Sequence, residues 1–145
     1  MTVAQAYSRG VTGDTAIDTV RRAITQVQLM RGWPTGIVCG PDSLERLELK
    51  KDAEGNYILA LEVDAANRTV LWRLPLITND ALGSNVFLVG DFARGSHLYD
   101  RQQATVELST EDRDNFIRNL VTIRAESRLA LAIPRPSLFV KGTLA

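Results

Sequence analysis

Two stretches of alternating polar and apolar residues, joined by a charged turn, constrain the fold of this chain more than any other feature. They cover residues 104–108 and residues 119–129. A period of two is typical of a strand with one buried face, because successive side chains point to opposite faces. The pattern therefore predicts two half-buried strands. The apolar face of the second consists of Val121, Ile123, Ala125 and Leu129.

A proline-rich break follows these strands. Pro134-Arg135-Pro136 ends the second strand, because proline fixes φ and lacks a backbone donor. The residues from Ser137 to Lys141 then predict a further short strand, which Gly142 closes.

The N-terminal half begins with a predicted amphipathic helix. Thr15, followed three residues later by Asp18, matches the capping-box pattern. We expect the helix to end near Gly32, which can adopt the left-handed conformation of a C-cap. The apolar stripe of this helix consists of Ile17, Val20, Ile24 and Val27.

Strands and one more helix are predicted after this helix. Gly36–Cys39 and Val86–Val89 are short apolar runs, which predict buried strands. Pro75 interrupts the run Thr69–Leu74, so we expect an edge strand or one that bends at Pro75. The other predicted elements are a helix near residues 44–51, a turn at residues 52–56 and short strands at residues 57–61 and 96–99.

This order of elements predicts an α+β fold, with a mixed sheet flanked by helices and then a strand-rich tail. We expect three segments along the chain. They are a flexible leader over residues 1–13, an α+β domain over residues 14–102 and the strands of the tail over residues 103–145.

Composition argues against several classes of function. The chain has 17 Lys and Arg against 17 Asp and Glu, so it has no general attraction for nucleic acid. Its apolar runs are far shorter than the roughly 18 residues of a membrane helix. Cys39 is the only cysteine, which leaves no internal disulfide. We therefore expect a soluble, cytoplasmic protein without a cofactor, a membrane partner or a sequence-specific nucleic acid partner.

Candidate catalytic residues are few. His97 is the only histidine and has no serine or cysteine partner at a recognisable spacing, so a structural role is favoured. Cys39 is interpreted as a small buried hydrophobic residue. Gly36–Gly40 lacks the lysine of a phosphate-binding loop. We expect no enzymatic activity.

The charged turn formed by Glu111, Asp112, Arg113 and Asp114 allows two interpretations. The acidic residues could bind a metal, but the EF-hand pattern is absent. Alternating signs in a turn usually indicate solvated ion pairs, and such a cluster can set the register between subunits. We favour a surface or interface role over a metal site.

The same C-terminal region carries four short motifs in a fixed order. They are E-D-R-D-N-F at Glu111–Phe116, R-L-A-L-A at Arg128–Ala132, R-P at Arg135–Pro136 and K-G-T at Lys141–Thr143. In this order and spacing, the motifs resemble the C-terminal end of the major capsid proteins of tailed bacteriophages, the Hong Kong ninety-seven type.

Motifs further upstream resemble the same family, so the resemblance covers about residues 12 to 143. One of them departs from the family pattern, because K-K-D stands where the family has L-K-D. The motifs are T-G-D-T at Thr12–Thr15, G-I-V at Gly36–Val38, K-K-D at Lys50–Asp52, E-G-N-Y at Glu54–Tyr57 and L-W-R-L-P at Leu71–Pro75.

The resemblance implies a structural protein. Residues 14–102 would correspond to the axial domain of a capsid subunit, and residues 103–145 to the closing strands of its peripheral domain. Because chains of the family are about twice as long, the sequence would correspond to the C-terminal half of a subunit. The implied partners are other copies of this chain and full-length capsid subunits, packed as pentamers and hexamers of an icosahedral shell. Such a shell encloses DNA and is assembled in the cytoplasm of the bacterial host.

The resemblance also implies roles for two residues of the tail. Asn119 matches the acceptor of an isopeptide cross-link between subunits, and Glu126 matches its general base, whereas the donor lysine has no counterpart here. A base in an apolar pocket could free the lysine amine for attack on the amide carbon. We favour the alternative that Asn119 caps the turn and that Glu126 pairs with Arg124 or Arg128 across the sheet. Arg128 and Arg135 are also candidates for contacts between subunits.

Two other functions remain open. An encapsulin-like shell protein would share the fold, and a small ligand-binding α+β domain would need a pocket with convergent polar groups, such as His97, Glu126 and Arg128. On the capsid interpretation, the strands after Ala104 lack sheet partners, so we expect another copy to cover their edges in a dimer or small oligomer.

Overall fold

A computed structural model describes residues 4–58, 62–63 and 69–144, and the chain divides into two compact units. The first unit comprises the residues up to Ser96 together with those from Ile133 onward, and the second comprises His97–Ala132. The predicted strand at residues 57–61 lies partly outside the described residues, and Tyr57 forms an isolated bridge with Lys51.

Both units contain helices and strands, whose bounds are as follows. The helices are α1 (Ala16–Leu29), α2 (Pro41–Glu48), α3 (Phe92–Gly95) and α4 (Asn115–Arg118), with a 3₁₀ turn at Pro136–Leu138. The strands are β1 (Gln5–Ala6), β2 (Gly36–Cys39), β3 (Glu62–Val63), β4 (Thr69–Leu71), β5 (Leu74–Thr78), β6 (Val86–Gly90), β7 (His97–Ser109), β8 (Thr122–Ala132) and β9 (Phe139–Thr143).

A seven-stranded mixed sheet forms the frame of the first unit, in the order β1-β9-β6-β2-β5-β4-β3. Strand β2 is parallel to β5 and antiparallel to β6, so it lies at the centre. The β2 residues Ile37 and Cys39 are buried, as the apolar run predicted. The predicted α+β class with a mixed sheet flanked by helices is confirmed.

Helix α1 supplies much of the core of the first unit. It lies against β6 and β9, and its predicted stripe is buried, with Val20 and Val27 at 0% exposure. The predicted capping box is also confirmed. The amide of Asp18 donates to the Thr15 hydroxyl at 3.3 Å, and the Thr15 amide donates to the Asp18 carboxylate at 3.0 Å.

The end of α1 differs from the prediction in one residue. Arg31, with φ at 61°, takes the left-handed conformation that we expected at Gly32. Gly32 is required for a different reason. A Cβ atom there would lie 2.8 Å from the Val27 side chain, so only glycine allows the chain to pass this close to the helix.

The interruption predicted at Pro75 is wrong. The chain reverses at Trp72 and Arg73, whose φ angles of 53° and 65° form a two-residue turn, and Pro75 lies inside β5 opposite Val70. The pair that closes such a turn, Leu71 and Leu74, exchanges two hydrogen bonds, whereas the next pair exchanges none. The missing N–H of Pro75 therefore removes no hydrogen bond to β4. Strand β4 is not an edge strand either, because β3 pairs with it.

Three further expectations about the strands are corrected by the structure. The short strand predicted at residues 96–99 continues to Ser109, because its pairing with β8 extends over the whole length. The expected leader contains β1, which pairs in parallel with β9 at Val140 and Lys141. Finally, β9 does not stay with β7 and β8, because it pairs with β6 in the large sheet.

Candidate functional site

The second unit is a long antiparallel β-hairpin formed by β7 and β8. Its pairing runs from His97 opposite Ala132 to Ser109 opposite Thr122, with two irregularities in β7 near Gln102. These two strands form a sheet of their own. Two-stranded hairpins are marginally stable at best in water, so this unit is expected to depend on contacts along its faces and edges.

One face of the hairpin is apolar. Cross-strand partners project to the same side, and the pairs Leu98–Leu131 and Leu108–Ile123 place large aliphatic side chains there. The expectation that these strands are half-buried is wrong for the described chain, because the large side chains of this face are exposed by 61% to 69%. The large apolar residues of the face are Leu98, Val106, Leu108, Ile123, Leu129 and Leu131.

The opposite face is polar and carries an ion-pair ladder. The Arg124 guanidinium donates to Glu107 on the neighbouring strand at 2.5 Å and lies 3.6 Å from the Glu126 carboxylate. The hydrogen bond and charge of Glu107, together with the charge of Glu126, raise the pKa of Arg124 above its ordinary value. Because these groups are largely exposed, the ladder contributes little to stability.

The tip of the hairpin, defined as residues 109–121, is held by a network around Asn115. This residue is 8% exposed, and its side-chain amide donates to the Thr122 hydroxyl at 2.7 Å. The hydroxyl in turn donates to the Asp112 carboxylate at 3.3 Å, and the Asn115 amide N–H donates to the Asp112 carbonyl at 3.0 Å. These bonds give the tip a defined conformation although its surface is exposed.

The tip also presents two large apolar side chains that the sequence analysis did not select. Phe116 is 85% exposed and Ile117 is 86% exposed, the largest exposures among the large apolar residues of the described chain. They lie on α4, where one helical turn carries them outward. In the sequence, Asn115 separates this aromatic and β-branched pair from four charged residues, a pattern that indicates a turn but does not show whether the pair is covered.

The charged turn forms part of this tip. Asp114 pairs with Arg118 at 2.6 Å, Asp112 accepts from Thr122, and the amide of Glu111 donates to the Ser109 hydroxyl. Arg113 adopts a positive φ of 52°. Within the described residues, no group of three or more metal-ligating side chains converges.

Asn119 and Glu126 lie on different elements of the hairpin. Asn119 follows α4 in the left-handed conformation, with φ at 54° and ψ at 45°, and its N–H donates to the Asn115 carbonyl. Glu126 lies within β8, opposite Thr105, about 13 Å along the strand from its start at Thr122.

The other selected residues are distributed over both units. Arg128 lies on β8 opposite Gln102, and exposed Arg135 precedes the 3₁₀ turn of the first unit. His97 is exposed at the start of β7, with its ring 6.4 Å from that of Tyr99. Cys39 is 1% exposed, and burial raises the pKa of its thiol to about 11.

A shallow depression beside α2 bears on the ligand-binding alternative. Its lining is mostly charged and comes from one stretch of chain, including Glu45, Arg46 and Lys51. Ligand pockets are usually concave and largely apolar, with only a few convergent polar groups.

No described helix is long and apolar enough to cross a membrane.

The sequence of the chain is similar to that of one known protein family over almost its whole length. A profile of the phage capsid family matches residues 1–144. The chain is 43% identical over 143 residues to the major capsid protein of Enterobacteria phage HK97, an alignment that covers 97% of this chain and 37% of that protein. The chain therefore belongs to the phage capsid family, as the sequence motifs predicted.

Solved structures with the same fold come from several particles. A chain from a structure of Microbacterium phage Oxtober96 superposes with a TM-score of 0.73 at 22% identity, covering 95% of this chain and 50% of that one. The capsid of an empty GTA particle gives a TM-score of 0.71 at 15% identity, covering 99% and 48%. Gordonia phage Cozz gives 0.69 at 18% identity, covering 98% and 50%. The chain thus spans between about a third and a half of the lengths of these relatives.

Proposed function

We propose that this chain acts as a structural part of a tailed-phage major capsid protein. It assembles with other copies of itself and with full-length capsid subunits into the pentamers and hexamers of an icosahedral shell that encloses DNA. The observation that carries this proposal is the 43% identity to a major capsid protein over almost the whole chain. Assembly takes place in the cytoplasm of the bacterial host, and the product resides in the virion.

The two units correspond to different parts of a capsid subunit on this proposal. The first unit is the axial domain, whose mixed sheet and buried α1 form a rigid body suited to packing around a symmetry axis. The hairpin at residues 97–132 belongs to the peripheral domain. This proposed division differs from the expected boundary at residue 102, because β7 begins at His97 and the chain returns to the large sheet through β9.

The hairpin supports a role in assembly rather than catalysis. Among the described strands, the hairpin has an exposed apolar face and no partner at its two outer edges, and folded proteins normally cover such features. In a shell, neighbouring polypeptide covers such surfaces at many equivalent positions. The balance of 17 basic and 17 acidic residues fits a wall that encloses DNA without binding a particular sequence.

Asn119 and Glu126 have structural roles on this proposal. The left-handed conformation of Asn119 closes α4, since asparagine adopts this conformation more readily than most residues. Glu126 completes the ion-pair ladder through Arg124. Both residues therefore have partners within the chain that fit stabilisation of the turn and the sheet.

Co-expression with a full-length capsid subunit of the same family tests the proposal. The chain, carrying an affinity tag, should enter purified shells, as seen by immunoblotting and negative-stain imaging. A charged pair on the apolar face, Leu108→Lys with Ile123→Lys, should abolish entry. The matched pair on the polar face, Gln102→Lys with Thr105→Lys, should not. Shells that contain none of the tagged wild-type chain would reject the proposed function.

A further inference from the structure

The segment before α1 is fastened to the large sheet by a buried polar side chain that lies outside the apolar stripe of α1. We propose that residues 5–8, called here the strap, open separately from the rest of the first unit, and that Gln26 is the residue that holds them closed. The strap covers the outer edge of β9, so its opening exposes a strand edge at which chains can pair. The inference concerns the first unit alone and does not depend on the proposed function.

The strap is bonded to β9 along one of its two edges. Strand β1 pairs in parallel with β9, with Ala6 opposite Lys141. The Tyr7 N–H continues this ladder, because it donates to the Lys141 carbonyl at 2.9 Å. Successive residues of a strand direct their backbone groups to opposite edges, so the groups of Ala6 and Ser8 face away from β9. Without a partner, these groups would form a free edge.

The side chain of Gln26 pairs with this second edge. Its amide N–H donates to the Ala6 carbonyl at 3.1 Å, and its carbonyl oxygen accepts from the Ser8 N–H at 3.2 Å. A glutamine amide both donates and accepts, so here it takes the place of a peptide group in a neighbouring parallel strand. Gln26 is 6% exposed and lies on α1, so the strap is bonded to β9 on one side and to α1 on the other.

The strap has the features of a segment that opens more easily than the sheet it covers. Strand β1 has only two residues, and parallel pairs are slightly less stable per residue than antiparallel ones. The strap is connected to α1 through the exposed residues 9–13, where Gly13 adopts a φ of 93°. Segments with few buried contacts open at a lower free energy than the core of a protein does.

Tyr7 contributes to both the closed and the open strap. Its ring packs edge-to-face against Phe87, with centroids 6.1 Å apart, and this contact favours the closed strap. Its hydroxyl is buried and has no hydrogen-bond partner among the described residues, which favours the open strap, where the hydroxyl is hydrated. Because these two effects oppose each other, the two hydrogen bonds of Gln26 determine how far the closed strap is favoured.

Amide hydrogen exchange, followed by NMR at low urea concentrations, tests whether the strap opens separately. The strap reporter is the Tyr7 N–H, and the core reporter is the N–H of Ile37, which is buried in the central strand. Opening of the strap exposes little surface, so exchange at Tyr7 should be fast and nearly independent of urea, whereas exchange at Ile37 should accelerate steeply. Equal urea slopes at the two residues would mean that the strap opens only when the unit unfolds, and would overturn the proposal.

Substitutions then test the role of Gln26. Gln26→Met keeps the length of the side chain but loses both hydrogen bonds to the strap, so exchange at Tyr7 should accelerate about tenfold although its own acceptor in β9 is unchanged. Gln28→Met, at an exposed position of α1, should leave exchange at Tyr7 unchanged. A core substitution, Leu47→Val, should accelerate exchange at Ile37 and not at Tyr7, because it weakens the closed and open forms equally. An equal response of Tyr7 to Leu47→Val and to Gln26→Met would refute the role of Gln26.

Trypsin provides an independent measure of the open strap. Cleavage after the exposed Arg9 requires the preceding residues to lie extended in the protease, and those residues are the strap. The rate of such cleavage follows the population of the open form when opening and closing are fast. Mass spectrometry should show cleavage after Arg9 about tenfold faster in Gln26→Met than in wild type, with cleavage after Arg113 in the tip unchanged. Identical rates after Arg9 in the two chains would contradict the proposal.

Discussion

At the scale of single residues, the capping box of α1 shows how a short local pattern fixes the start of an element. The Asp18 carboxylate accepts from the Thr15 hydroxyl at 2.7 Å and from the Thr15 amide. These hydrogen bonds lower the pKa of Asp18 below its ordinary value. The lowered pKa means that the ionised carboxylate is favoured in the folded state.

The pH dependence of this cap follows from the direction of the shift. Since the folded-state pKa of Asp18 is lower than the unfolded one, its contribution is complete above the unfolded pKa and disappears as the pH falls through the folded pKa. Asp18→Asn should therefore destabilise the chain at pH 7, and the difference from wild type should shrink as the solution is acidified below about pH 4. Urea unfolding followed by circular dichroism measures both, with Asp80→Asn in an exposed loop as the control. A difference that is independent of pH would contradict the role of the carboxylate.

Features that depend only on neighbouring residues could be predicted well from the sequence. The capping box, the apolar stripe of α1 and the turn at residues 52–56 were correct, because each depends on neighbours in the chain. The exposure of Phe116 and Ile117 could not be predicted, because burial depends on which elements meet. A strand pattern predicts that a face is apolar, and only the fold shows whether anything covers it.

At the scale of elements, the packing of β6 against β9 depends on a small residue. Gly90 lies opposite Phe139, and a Cβ atom at Gly90 would overlap the Phe139 ring. Gly90→Ala should therefore destabilise the first unit by about 1–3 kcal/mol, the usual cost of overpacking a core. Gly83→Ala is the matched control, since a Cβ there would meet only Val86 at 4.0 Å. Equal unfolding midpoints for the two variants would contradict this packing.

At the turn between β4 and β5, a substitution is expected to increase the stability of the chain. Trp72 and Arg73 both adopt positive φ, which costs a residue with a side chain roughly 1–2 kcal/mol. Glycine at the second position of such a turn is the common solution. Arg73→Gly should stabilise the chain by about 0.5 kcal/mol, because the relief of strain exceeds the added entropy of the unfolded chain. Arg9→Gly, at a residue outside the positive-φ set, should not stabilise the chain, and a gain there of the same size would refute the explanation.

The same turn explains one failure of sequence reasoning. Proline is the stronger signal in the sequence, so Pro75 was expected to interrupt or bend the strand. The reversal occurs instead at two residues with no turn propensity, because β5 must run parallel to β2 while β4 pairs beside it. The pairing of these strands in the sheet overrides the local preference of the residues. This pairing cannot be read from a single sequence.

At the scale of the whole molecule, the family motifs predicted more than periodicity did. Alternation alone gave an α+β fold with a strand-rich tail, and the motifs gave the phage capsid family, which the 43% identity confirms. The path of the tail could not be predicted, because β9 is separated from its partner β6 by the entire hairpin. Pairings between distant segments leave little trace in a local pattern.

Measuring the mass of the chain in solution is the most direct test of whether its exposed hairpin contacts other copies. Light scattering coupled to gel filtration should be recorded from micromolar to near-millimolar concentration. The account predicts a weight-average mass that rises with concentration above the 16.0 kDa of one chain, because the exposed hairpin finds partners. Leu108→Lys with Ile123→Lys should lower that rise, whereas Gln102→Lys with Thr105→Lys should leave it unchanged. A constant mass of 16.0 kDa at every concentration would contradict the account.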